Sequence, residues 1–110
     1  MRRGDVYWVN LDPVIGSEIG KRRPAVVVQN EAANRSSATV TVIPLTSSTT
    51  KVYPFQVLVP AGEAGLPQPS KALCEQVRTL SRQRLTERIG SLPEERLGQI
   101  REALERHLWV

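Results

Sequence analysis

Along the 110-residue chain, short apolar stretches alternate with polar and Gly/Pro-rich ones. Val6-Tyr7-Trp8-Val9 opens a β-branched and aromatic run that Asp12-Pro13 ends, which predicts a first strand. Residues 13–23 carry two glycines, a serine and three consecutive basic residues, and predict a long loop. Pro24 to Gln29 is apolar nearly throughout and predicts a strand buried on both faces, with Pro24 at its start. Asn30 to Ser37 reads as a polar connection. Thr39 to Leu45 alternates Thr and Val, the pattern of a half-buried strand, and Pro44 within it marks an edge, a bulge or the strand end. A hydroxyl-rich loop over 46–53 precedes a short strand at Phe55–Val59 and a Gly/Pro turn region at Ala61–Pro69. Lys71 to Leu80 reads as one strand, Ser81 to Leu85 as one helical turn, and Glu87 to Ser91 as a last short strand.

The final element has the strongest pattern. Ser91 and Glu94 have the spacing of a capping box. Leu97, Ile100, Leu104 and Leu108 then recur at helical spacing, opposite a Glu/Arg face where Glu102 and Arg106 stand four apart. This predicts an amphipathic helix from about Leu92 to His107. Several short strands and one terminal helix predict a mainly β domain spanning 1–110, a small antiparallel barrel with the helix packed on it.

Composition narrows the function. No apolar run approaches the ~20 residues of a membrane helix, and no signal-peptide pattern precedes the first strand, so a cytoplasmic, membrane-free protein is expected. The single cysteine, Cys74, fits a reducing compartment and a small core residue. The net charge of +4 comes from fifteen basic and eleven acidic residues, and twelve of the fifteen are Arg. Arg grips phosphate with a planar fork, whereas Lys is a point charge. Residues 1–91 hold twelve basic and seven acidic side chains, and residues 92–110 hold three and four. The anion-facing surface is therefore expected on the body of the domain and not on its C-terminal segment.

Residue inventory excludes several chemistries. His107 is the only histidine, so a two-histidine acid–base pair within one subunit is impossible. One Cys and one His do not make a zinc site, and Asp5 and Asp12, the only aspartates, form no Ca²⁺ loop. No Gly-Lys-Ser or Gly-Lys-Thr phosphate loop is present. No metal and no cofactor is expected. Arginine and hydroxyl chemistry remains.

Taken alone, Arg23 reads as a solvated loop residue, Thr46 as a turn residue, Gly16-Ser17-Glu18 as a plain turn, and Gln76 and Arg78 as one face of a strand. Their order along the chain says more. Arg3-Gly4-Asp5-Val6-Tyr7-Trp8-Val9, Gly16-Ser17-Glu18 and Arg23-Pro24-Ala25-Val26-Val27-Val28 are followed by Val42-Ile43-Pro44-Leu45-Thr46-Ser47, Glu75-Gln76-Val77-Arg78-Thr79-Leu80 and Arg84 to Leu92. This ordered set, above all G-S-E-x-x-x-x-R-P and E-Q-x-R-T, resembles the MazF/PemK family of toxin endoribonucleases over residues 3 to about 105.

The resemblance implies an SH3-like barrel, a homodimer, and metal-independent cleavage of single-stranded RNA, held in check by a MazE-like or PemI-like antitoxin. The family's catalytic Arg and Thr fall on Arg23 and Thr46. Arg3, Ser17, Glu18, Lys21, Arg22, Ser47, Gln76 and Arg78 fall on RNA-facing or supporting positions. Arg22 beside Arg23 leaves open which guanidinium meets the phosphate, and Glu18 is placed to pair with either. A gyrase-poisoning toxin of the CcdB type and a small RNA-binding barrel that does not cut are the alternatives. The first needs no Arg/Thr pair and acts through its C-terminal helix; the second would retain RNA with intact ends.

Overall fold

The computed structural model describes residues 1–109. Its elements are β1 (Asp5–Asn10), β2 (Arg22–Val27), α1 (Glu31–Ser36), β3 (Thr39–Thr46), β4 (Gln56–Val59), β5 (Ser70–Leu73), β6 (Arg78–Ser81), β7 (Leu85–Ser91) and α2 (Glu94–Leu108). The strands form one antiparallel sheet in the order β4-β5-β3-β2-β1-β7, with β6 also paired to β3. This is the mainly β arrangement with a C-terminal helix that the sequence predicts.

β3 organises the sheet. One of its edges pairs with β2 from Val42 to Pro44; the other meets β6 over Thr39–Val42 and β5 over Leu45–Thr46. Pro44 sits where β3 passes from one partner to the next, a place with no ladder bond to lose. Alternation along the strands feeds two cores. Val6, Val26, Ile43, Leu45, Ala72 and Cys74 pack beneath Ile100 and Ala103 of α2, while Val9, Ala25, Val27, Val40, Val42 and Leu80 form the second. Ala25, Val26 and Val27 are all fully buried, as a strand covered on both faces requires.

Several expectations are corrected. β2 begins at Arg22, so Arg23 lies inside a strand, and Thr46 is the last residue of β3 and not the first of the loop. The polar connection holds α1, whose N-cap Asn30 accepts from the Ala33 amide at 2.9 Å. The segment 71–80 is two strands separated by a 3₁₀ turn at Cys74–Gln76, so Gln76 and Arg78 do not share a strand face. The capping box does not form: Pro93 is the N-cap of α2, and the Ser91 hydroxyl donates to Asp5 Oδ1 at 3.2 Å. The i,i+4 ion pair on α2 is Arg101–Glu105 at 3.2 Å, in place of Glu102–Arg106. Leu108, assigned to the apolar face, is exposed.

The buried Asp5 ties the chain start to β7. Burial disfavours its charge, but the Arg2 amide, the Arg88 guanidinium and the Ser91 hydroxyl outweigh this and hold its pKa below the ordinary carboxylate value. A depressed carboxylate stabilises the fold above its unfolded pKa and loses that contribution as pH falls through the folded value. Asp5→Asn should therefore cost about 1–2 kcal/mol at neutral pH. In urea titrations at stepped pH, the gap to wild type should close below about pH 4. A gap that stays constant down to pH 2 would show that the charge of Asp5 contributes nothing.

Candidate active site

The site is built on the shared end of β2 and β3. Ala25 lies opposite Pro44 in the last pair of the β2–β3 ladder, and Arg23 and Thr46 lie two residues beyond it, one on each strand. Side chains two apart on a strand share a face, so Arg23 joins the face of Ala25 and Thr46 the face of Pro44. The two therefore emerge on one side, at the rim of the second core. Arg22 takes the opposite face. Its guanidinium lies 4.7 Å from the centroid of the Trp8 ring and donates to Thr86 Oγ1 at 3.4 Å. Strand parity thus separates the two adjacent arginines.

Each of the paired side chains is oriented by a backbone contact that leaves its reactive part free. Arg23 Nε donates to the Gly20 carbonyl at 2.9 Å. That uses one of five guanidinium donors and leaves the N–H groups of both terminal nitrogens for a ligand. The Thr46 hydroxyl oxygen accepts from the Ser48 amide at 3.2 Å, so its hydrogen remains available to donate. Ser47 follows it, exposed, on the loop.

The residues 11–21 form a loop anchored at its base. Leu11 N donates to Lys21 O at 2.9 Å, and Lys21 N donates to Asp12 Oδ1 at 2.9 Å. Lys21 has φ of 69°, a left-handed conformation, and its exposed side chain faces solvent beside the site. A Cβ on Gly20 would meet the Asp12 carboxylate and Val14 Cγ2, so a larger residue there would displace these two side chains of the loop. Gln76 Oε1 accepts the Ile19 amide at 2.6 Å, and Arg78 Nη1 donates to Leu11 O at 3.2 Å. Gln76 and Arg78 of the E-Q-x-R-T stretch thus hold the loop that leads into Arg23. Asp12 and Arg84, which donates to the Asn10 and Asp12 carbonyls, do the same and were not singled out in the sequence. Their signal was the Asp12-Pro13 strand end, read only as a terminator.

Other expected residues fall elsewhere. Glu18 pairs with neither arginine; its carboxylate accepts the Ile15 amide at 2.7 Å and closes the loop tip, where Ser17 is exposed. Arg3 precedes β1, at the end of that strand away from Val9, the partner of Arg23. There it donates to Gln29 O at 3.3 Å and lines a groove of about 740 Å³ with Val28, Glu31 and Leu104. Cys74 is buried in the first core, and burial, with the adjacent Glu75 charge, pushes its thiol up to about 12. It cannot serve as a thiolate at neutral pH.

A sequence profile described as "PemK-like, MazF-like toxin of type II toxin-antitoxin system" matches residues 2–108. The chain is 46% identical over 113 aligned residues to endoribonuclease MazF9 of Mycobacterium tuberculosis, covering 98% of this chain and 96% of that protein. The crystal structure of MazF from Deinococcus radiodurans superposes with a TM-score of 0.87 at 32% identity, covering 100% and 97% of the two chains. A MazE–MazF crystal structure from the same organism gives 0.78 at 32% identity, over 98% and 95%.

Proposed function

The chain belongs to the PemK-like, MazF-like family of toxins of type II toxin–antitoxin systems, and on that premise we propose that Arg23 and Thr46 carry its endoribonuclease reaction. The observation that supports this reading is that Arg23, with its terminal N–H groups free, and Thr46, with its hydroxyl hydrogen free, emerge on one face just past the end of the β2–β3 ladder.

The substrate is single-stranded RNA, which supplies its own nucleophile. Its 2′-oxygen attacks the adjacent phosphorus, the bond from phosphorus to the 5′-oxygen breaks, and a cyclic phosphate and a 5′-hydroxyl result. A proton leaves the 2′-oxygen and one is taken up by the departing 5′-oxygen. Negative charge grows on the non-bridging oxygens as the attack proceeds. The free fork of Arg23 meets that charge, and the Thr46 hydroxyl donates to the same phosphate. A guanidinium holds its proton too tightly to serve as a base, so Arg23 stabilises charge and another group takes the proton.

The surrounding residues take supporting parts. Gln76 and Arg78 fix the 11–21 loop, and Lys21 adds positive charge beside the site, while Arg22 lies on the opposite face against Trp8. The protein acts in the cytoplasm, where RNA is translated, as a homodimer whose groove crosses the interface. It is silenced by an acidic MazE-like antitoxin that occupies that groove. Among the described residues no helix is long and apolar enough to cross a membrane.

Incubation with a long defined RNA in excess EDTA tests the chemistry. Cleavage should persist at the rate seen without chelator and leave 5′-hydroxyl ends that a kinase can label directly. Loss of activity on chelation, restored by Mg²⁺, would sink the mechanism.

A further inference from the structure

The face that carries Arg23 and Thr46 continues from β3 onto β5 and β4. Thr46 pairs with Lys71 of β5, and Lys71 pairs in turn with Leu58 of β4. The neighbouring pair, Leu45 and Ala72, is buried in the first core, so Thr46 and Lys71 turn to the opposite face together. Thr46, Lys71 and Leu58 therefore form one row on three consecutive strands, and Arg23 lies on the same face of β2, the neighbour of β3 on its other edge. Directly opposed residues have Cα atoms about 5 Å apart, so Lys71 flanks Thr46 as closely as a side chain can, on the side away from Arg23.

The charge of Lys71 is held in place and left unneutralised. Its ammonium donates to the Lys51 carbonyl at 2.5 Å, which occupies one of three donors. The ion pairs among the described residues are Arg88–Asp5, Arg96–Glu63 and Arg101–Glu105, and Lys71 is in none of them. Its other cross-strand neighbour, Leu58, is half exposed and brings no charge. A half-buried ammonium steadied by a carbonyl, with two donors free, beside a hydroxyl-bearing loop, is suited to an anion.

We propose that Lys71 is a substrate-binding residue that contacts the RNA phosphate next to the scissile one, on the Thr46 side of the groove. This rests on the ribonuclease reading above. Arg23 holds the reacting phosphate from one side of Thr46; a polyanion laid across the strands then meets its next cation at Lys71. Because this phosphate does not change charge during the reaction, the contact serves ground state and transition state alike. It lowers KM and leaves kcat alone.

Steady-state cleavage of a defined RNA oligonucleotide, repeated over a range of salt, tests the assignment with Lys71→Met, Lys71→Gln and Lys71→Arg. Thermal melts select the folded variants, and Gln, which keeps a donor for the Lys51 carbonyl, covers a failure of Met to fold. Removing the charge should raise KM about tenfold with kcat unchanged. It should also make the dependence of log KM on log salt shallower by about 0.7, the increment of one phosphate contact on a single strand. Lys71→Arg should restore the wild-type slope. Unchanged KM and slope in Gln and Met would overturn the proposal. So would a fall in kcat at constant KM, which would make Lys71 an anchor of the 47–53 loop only. A wild-type protein that does not cut RNA would overturn the ribonuclease reading itself, a result that the variants do not affect.

Discussion

Arg23→Ala should lower RNA cleavage by at least 10²–10³-fold, the usual cost of removing a donor aimed at developing charge. It should also weaken binding of the cognate antitoxin. Thr46→Ala should lose cleavage by about 10²-fold or more and bind antitoxin almost normally. The asymmetry follows from chemistry. An acidic antitoxin segment and an RNA backbone both need the Arg23 cation, and both would also meet Lys21. The Thr46 hydroxyl is neutral, and one lost neutral hydrogen bond costs a long binding segment little. Neither substitution removes a member of the buried core, since both side chains stand at the rim of the second core, partly buried. Calorimetric titration with antitoxin, beside a single-turnover cleavage assay, separates the two roles. Normal cleavage by Thr46→Ala would remove it from the reaction. Unchanged antitoxin affinity in Arg23→Ala would show that antitoxin and RNA do not share the groove.

The strands were legible where side-chain alternation or continuous burial decides them. Val26 and Val27 read as doubly buried because both cores claim β2. What was missed depends on partners distant in sequence. The six-residue α1 has no apolar stripe, and its C-terminal carbonyls are capped by a residue far along the chain. Arg82 donates to Ala33, Asn34 and Ser37 oxygens across more than 40 residues. The break at Cys74–Gln76 exists because β3 exchanges partners near Pro44, which no local pattern in 71–80 records. Ser91 is drawn from its capping position by Asp5 at the other end of the chain. The Arg23–Thr46 pair was legible only through motif order, since its geometry is a matter of register. Arg22 and Arg23 were left undivided for a related reason: with β2 begun at Pro24, neither had a strand face. Lys71 was hidden for a different reason, because its place beside Thr46 appears only when β5 is separated from β6.

Gly90→Ala should destabilise the fold by about 2–4 kcal/mol, a large share of the ~5–15 kcal/mol that holds a small domain together. Gly90 has no unusual backbone angle; its requirement is space. A Cβ there would run into the backbone of Ala64, and a Cβ on Gly65 would run into the Ile89 carbonyl. The turn at Glu63–Gly65 and β7 therefore meet backbone to backbone, with no flexible side chain between them to yield. Ala64 and Gly65 hold that turn with φ of 55° and 74°, so it has little freedom to retreat. Gly90 also pairs with Val6 of the first core, and the turn carries Glu63, which grips Arg96 of α2 at 2.9 and 3.2 Å. Pushing the turn away thus loosens the helix that closes the core. Gly98 supplies the contrast. It lies within α2, where an added Cβ meets nothing within 4 Å, and Gly98→Ala should stabilise by about 0.5–1 kcal/mol through helix propensity. Urea unfolding of the two variants should move the midpoint in opposite directions. Cleavage per folded molecule should hold in both, because neither touches β2, the end of β3 or the 11–21 loop. A Gly90→Ala midpoint equal to wild type would mean that the turn and β7 separate at no cost, and that the close approach is not a constraint on the fold.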